Sequence, residues 1–309
     1  MLTMKKLVLT TAMSSIPLLG YAAEFSKPET YGFISAGVLN TDNQDFEVEA
    51  FEIELGLKGT ARVQDLNLLY KVEVDLAQAA NRADSGDPGK DGESEIHVKE
   101  AILRLPTRYG TFVLAARGTS GQWAQLYGPI NHYEYNEPHA ALNSDGIFFQ
   151  PDRSSGVFAW ASPAVANTRM VLAAITLTED NGEDADAASI RLVYNDKTLQ
   201  MGAGTTLIKS AQLPAFTQKD LLLTTLSAGY RLESLQLGAV WEHSDNQPYP
   251  GSPDGSANSD SFGISTNITL GEDYSTALGY KEKDHEYDVL DEKVYLLKLE
   301  RQLDDQVKI

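Results

Sequence analysis

A transmembrane antiparallel up-and-down β-barrel is the fold class this sequence predicts, and side-chain alternation, connection lengths and the leader carry the prediction. Near the end of the chain Phe262, Ile264, Ile268 and Leu270 share one face, while Gly263, Ser265, Asn267 and Thr269 share the other. Period two means β-structure. The pattern recurs along nearly the whole chain with no helical segment to cover the apolar face, so that face meets lipid and the polar face meets water.

The leader fits export. Met4-Lys5-Lys6 gives a positive start, Leu7 to Leu19 is apolar but too short to span a bilayer, and Gly20-Tyr21-Ala22 offers small residues for a signal peptidase. Residues 1–22 are read as a signal peptide and 23–309 as the barrel. With Lys5 and Lys6 set aside, the 25 basic residues become 23 against 44 acidic, a net charge of −21. Such acidity excludes nucleic acid as a partner and argues against direct attraction to anionic lipid. There are no cysteines, so the backbone ladder holds the fold without disulfides.

Predicted strands run over Thr30–Leu39, Glu49–Gly59, Leu66–Leu76, Ile96–Leu105, Thr111–Gly118 and Ser155–Ser162. Further ones follow at Thr168–Leu177, Ala188–Tyr194, Leu199–Ile208, Asp220–Tyr230, Leu235–His243, Phe262–Leu270, Tyr274–Lys281 and Lys293–Leu303. Long connections, such as 77–95 and 119–154, alternate with short ones, such as 106–110 and 271–273. An up-and-down barrel sorts its connections this way, with short turns on the periplasmic rim and long loops outside. The last residues, Asp304 to Ile309, read as a turn and the stub of a fifteenth strand.

Several strands assign faces. Leu199, Met201, Ala203 and Leu207 oppose Gln200, Gly202, Gly204 and Thr206, and Leu235, Leu237 and Trp241 oppose Gln236, Gly238 and Glu242. Glu52, Glu54 and Lys58 then face the lumen, as do Lys71, Glu73 and Asp75 on the next strand. Ionised groups cannot line a dry interior, so water fills the lumen. On the fourth predicted strand neither face is cleanly apolar, because Glu100 and Arg104 share a side with Val98 and Ile102. A charge there costs about 2–4 kcal/mol against lipid for a basic residue near mid-membrane, so this strand is expected at a subunit contact.

The stretch from Val98-Lys99-Glu100-Ala101-Ile102 through Tyr109-Gly110-Thr111-Phe112-Val113-Leu114 to Arg117, followed by a long connection and Arg153-Ser154-Ser155-Gly156-Val157-Phe158-Ala159-Trp160, resembles the general-diffusion porins of Gram-negative outer membranes. The resemblance implies a homotrimer of sixteen-stranded barrels in the cell outer membrane, in contact with its lipid and lipopolysaccharide, passing small hydrophilic solutes by passive diffusion. Against sixteen, this chain supplies about fourteen strands and a stub, and is read as C-terminally incomplete. The resemblance also implies that 119–154 folds inward as a constriction loop, with Glu134, Glu137 and Asp145 as its candidate acids, facing a basic wall where it places Lys99 and Arg153 with Arg117 as a neighbour; the alternation adds Lys71 to that wall, and Arg191 joins it from a later strand. The family's Pro-Glu-Phe segment is absent; Asn136-Glu137-Pro138-His139 stands there, in a loop rich in aromatic residues.

No enzyme, metal or cofactor motif emerges. His97, His132, His139, His243 and His285 are scattered without metal-ligand spacing, and no GxSxG occurs. Acids on the second and third strands outnumber Lys58 and Lys71, which predicts a weak cation preference that fades with salt. Two other readings stay open: a sugar-selective channel using the tyrosines of 119–154, and an exported soluble β-sandwich adhesin.

Overall fold

The computed structural model describes residues 24–39, 47–77, 96–119, 121–130, 147–151, 153–176, 185–287 and 290–303. Within them the chain forms one antiparallel meander. Its strands are β1 (Glu24–Phe25), β2 (Glu29–Leu39), β3 (Glu47–Val63), β4 (Leu66–Asp75), β5 (His97–Thr107), β6 (Gly110–Thr119), β7 (Arg153–Ala161) and β8 (Thr168–Ile175). They continue as β9 (Ala187–Asn195), β10 (Leu199–Ile208), β11 (Leu221–Arg231), β12 (Leu235–Pro248), β13 (Ser256–Leu270), β14 (Tyr274–His285) and β15 (Glu292–Arg301). Each strand from β3 onward pairs with the next, while β1 and β2 both pair with β3 and make one interrupted strand around Lys27-Pro28. Proline has no N–H to give the ladder, which accounts for the break. The sheet therefore has fourteen antiparallel strands, as the alternation predicts. β1 is an addition to the predicted set.

The faces follow from period two. Outward residues Met201, Leu226, Leu237 and Ile264 remain between 44% and 50% exposed, whereas the inward Thr206, Thr225, Glu242 and Ser261 are buried. An apolar exterior over a polar interior is the arrangement that hydrocarbon outside and water inside require.

The connections alternate as expected. Gln64-Asp65 and Arg108-Tyr109 suffice on one rim, where Asp196 closes another short turn by accepting the N–H groups of Thr198 and Leu199, each at 2.7 Å. The Leu199 N–H is the main cause of that carboxyl's lowered pKa. On the other rim, two long connections are tied by an ion pair from Lys219 Nζ to Asp254 Oδ2, at 2.6 Å. On this rim three strands run well beyond their predicted ends, β12 to Pro248, β13 from Ser256 and β14 to His285, and on the other rim β3 continues to Val63. Ser, Asn and Asp at the first three ends have poor strand propensity, yet one face of the ladder is buried there, at Ser244, Ser259 and His285, and Ser259 donates across it to Gln247 Oε1 at 2.8 Å. A register shift between Ser244 and Gln247 absorbs the irregularity.

β5 corrects one expectation. Its register against β4 jumps from Glu73↔Glu100 to Val74↔Val98, leaving Lys99 as the extra residue of a bulge. The bulge brings Glu100 to the inward side, where it meets Lys71, and Ile102 and Arg104 line the lumen with it. Val98 and Leu103 remain outside and exposed. The outer face of β5 is thus apolar, and the charge cost that pointed to a subunit contact there does not arise.

Candidate pore lining

Between β6 and β7 the chain turns into the lumen. Residues 121–130 hold a single π-helical turn, Trp123–Tyr127, and a 3-10 turn, Gly128–Ile130. With Ile147 and Phe148 they form a cluster in which Leu126 and Tyr127 are fully buried, packed with Val193 and Val240 of the wall. Trp123 stacks on Tyr127 at 4.4 Å between centroids, and Phe148 meets Tyr127 edge-on at 5.1 Å.

The wall is shaped to receive this segment. Gly202, Gly204, Gly229, Gly238 and Gly263 occupy inward positions on β10 to β13, and a Cβ at Gly238 would lie 2.0 Å from the Pro129 carbonyl oxygen. At Gly202 it would lie 2.3 Å from Leu126 Cδ2. These glycines form a trough that lets the segment approach the strand backbone. In the alternation they read simply as small lumen residues; no sequence signal separates a trough from an open channel wall.

Polar groups then fasten the segment. Glu242, 1% exposed, accepts the Tyr127 hydroxyl, the Phe149 N–H at 2.7 Å and the Gln150 N–H at 3.3 Å. Tyr127 Oη also lies 2.9 Å from Thr225 Oγ1. Ser261 donates to the Ile147 carbonyl at 2.7 Å and Ser265 to the Pro129 carbonyl at 3.2 Å. A buried carboxylate is tolerated where donors converge on it.

Across the lumen the lysines on β3 to β5 are paired with acids. Lys71 bridges Glu73 at 3.1 Å and Glu100 at 2.5 Å, Tyr31 donates to Glu73 at 2.7 Å, and Lys99 pairs with Glu54. Asp75 accepts the Ala77 N–H at 2.9 Å. Of the expected basic wall, Lys71, Lys99 and Arg191 thus face inward. Arg117 does not: the β5–β6 register passes from Ala101↔Arg117 to Ile102↔Ala115, skipping Ala116. That bulge puts Arg117 and its partner Ser155 on the outer face, while Gly118 and Ser154 line the lumen. Arg153 opens β7 opposite Thr119; its side chain and that of Glu52 lie outside the described residues, as do Glu134, Glu137 and Asp145 entirely.

The lumen is also less uniformly polar than the sequence reading holds. On β6 to β8 the inward positions include Val113, Val157, Val171 and Ile175, and the outward ones Leu114, Phe158 and Leu172. Both faces are apolar there, and Phe149 of the inserted chain packs beside Val157 and Ile175, so these strands lose period two. Between this wall and residues 121–125 and 150 lies a cavity of about 480 Å³, into which Arg104, Arg169 and Arg191 also reach.

No family model and no curated protein matches the sequence, but solved structures do. An anion-selective porin from Comamonas acidovorans superimposes with a TM-score of 0.65 at 14% identity, over 91% of this chain and 86% of that one. The trimer form of the Vibrio cholerae outer membrane protein OmpT gives 0.65 at 16%, over 91% and 86%. Salmonella typhi OmpF, in complex with daunomycin, gives 0.66 at 12%, over 89% and 84%. With a fourteen-stranded meander, an apolar exterior and a segment laid against the inner wall, this chain has the fold of the Gram-negative outer-membrane porins.

Proposed function

We propose that the protein is an outer-membrane channel through which small hydrophilic solutes and ions diffuse passively. The observation that carries this reading is the inward face itself: charged and hydroxyl side chains on β3 to β5 and β9 to β14, with the acids of β3 to β5 held by lysines. Residues 119–154 act as the constriction, since the described parts of that segment sit on the inner wall. Reconstituted protein should give ohmic, stepwise conductance in planar bilayers; correctly folded protein that never conducts would remove the reading. A trimer is proposed on the strength of the trimeric relative, and crosslinking in native membranes that returned only monomers would count against it.

The weak cation preference is proposed with a specific source. Glu73 and Glu100 are held by Lys71, so they contribute little free negative potential while the pair is intact. Lys71→Gln frees both, and the ratio of K⁺ to Cl⁻ permeability should rise, more so at 0.1 M than at 1 M KCl because the Debye length falls from about 10 to about 3 Å. Reversal potentials in a KCl gradient measure this. A wild-type anion preference, or a variant indistinguishable from it, would displace these acids from the conducting path.

A further inference from the structure

The cavity against β5 to β10 combines two features that a plain water-filled path does not need. One is a hydrocarbon wall, built by Ile102, Val113, Val157, Val171 and Ile175. The other is Arg191, only 6% exposed. Among the described residues the one hydrogen bond of Arg191 runs from Nε to Gln125 Oε1, at 2.6 Å, and no carboxylate pairs with it. A buried guanidinium without a carboxylate is costly, and an anion brought to it recovers much of that cost through charge-assisted bonds. Next to it Gln122, 4% exposed, gives its amide N–H groups to Thr206 Oγ1 and the Thr205 carbonyl but leaves Oε1 without a donor. Arg104 and Arg169 line the same space, and among the described residues the one acid that lines it, Glu100, is engaged by Lys71.

We propose that this cavity is a binding subsite for small amphiphilic monocarboxylates, typically a hydroxylated aromatic acid. The carboxylate takes the terminal N–H groups of Arg191, a hydroxyl supplies the donor that Gln122 Oε1 lacks, and the ring lies on the valine wall. About 480 Å³ is within the usual range for a small-ligand pocket. A purely polar anion would leave the hydrocarbon dry and unpaired, and a neutral ring would leave the guanidinium without its counter-charge. The proposal depends on the channel reading only for how the solute arrives.

Binding is measured by ligand-observed NMR on full-length protein folded in a nonionic detergent, with 4-hydroxybenzoate as the probe and 4-hydroxybenzyl alcohol and formate as controls. The acid should bind saturably, at least about tenfold more tightly than either control, because only it satisfies both the charge and the apolar wall. Arg191→Gln should abolish its advantage over the alcohol. Val113→Thr, nearly isosteric, should weaken it about threefold while leaving formate unchanged; this variant decides the matter if Arg191→Gln does not keep the heat-modifiable mobility of a folded barrel. An acid that binds no better than its controls, or equally well to a folded Arg191→Gln or Val113→Thr protein, overturns the proposal. Single-channel recording separates the two readings: binding without conductance removes the channel and keeps the subsite, and conductance without selective binding does the reverse.

Discussion

Glu242→Leu should release the inserted segment from the wall and increase single-channel conductance. Three donors converge on this carboxylate: the Tyr127 hydroxyl and the Phe149 and Gln150 N–H groups. Leucine fills similar volume but accepts nothing, so two backbone donors lose their partner in a place water reaches poorly, and the phenol keeps only Thr225 Oγ1. Each unsatisfied buried donor costs about 1–3 kcal/mol, enough in sum to make seating unfavourable. The β12 ladder itself does not depend on the side chain, so the barrel should still run as a folded species in unboiled gels. Exclusion of neutral polymers of graded size would show whether the path has widened. A folded variant with unchanged conductance and cut-off would mean that the segment does not bound the path.

Gly238→Val should reach the same end through sterics. A Cβ there meets the Pro129 carbonyl oxygen at 2.0 Å and carbon at 2.4 Å, and both are backbone atoms that cannot rotate away. Overpacking of this kind costs about 1–3 kcal/mol, which the segment avoids by lifting off. Because both substitutions undo one contact surface, their effects on thermal stability should fall short of additive when combined. Full additivity in differential scanning calorimetry would show that Gly238 matters to the strand rather than to the segment above it.

The meander was legible in the sequence because lipid imposes alternation, and alternation survives errors in strand ends. Phe262 to Leu270 falls within β13, and Leu199–Ile208 coincides with β10. What escaped has a common cause. A bulge adds one residue without changing composition, so Lys99 and Ala116 shift their strands' faces invisibly, bringing Glu100 inward and sending Arg117 outward. Glycine is equally mute: Gly202, Gly229 and Gly238 satisfy the small-residue side of the pattern whether they face water or a docked helix turn. Glu242 was placed on the lumen face, but its partners lie about a hundred residues away in sequence, beyond the reach of any local period.

Those long separations bear on how the molecule assembles. Strand pairing from β3 to β15 joins only neighbours in sequence, so the wall can grow hairpin by hairpin, each step closing only the loop between consecutive strands. The bonds that seat the segment span 115 residues from Tyr127 to Glu242 and 136 from Pro129 to Ser265. Their receiving trough does not exist until β10 to β13 have paired. Seating is therefore a late event that follows completion of much of the wall, and nascent barrels should pass through a stage with a wider bore than the finished protein.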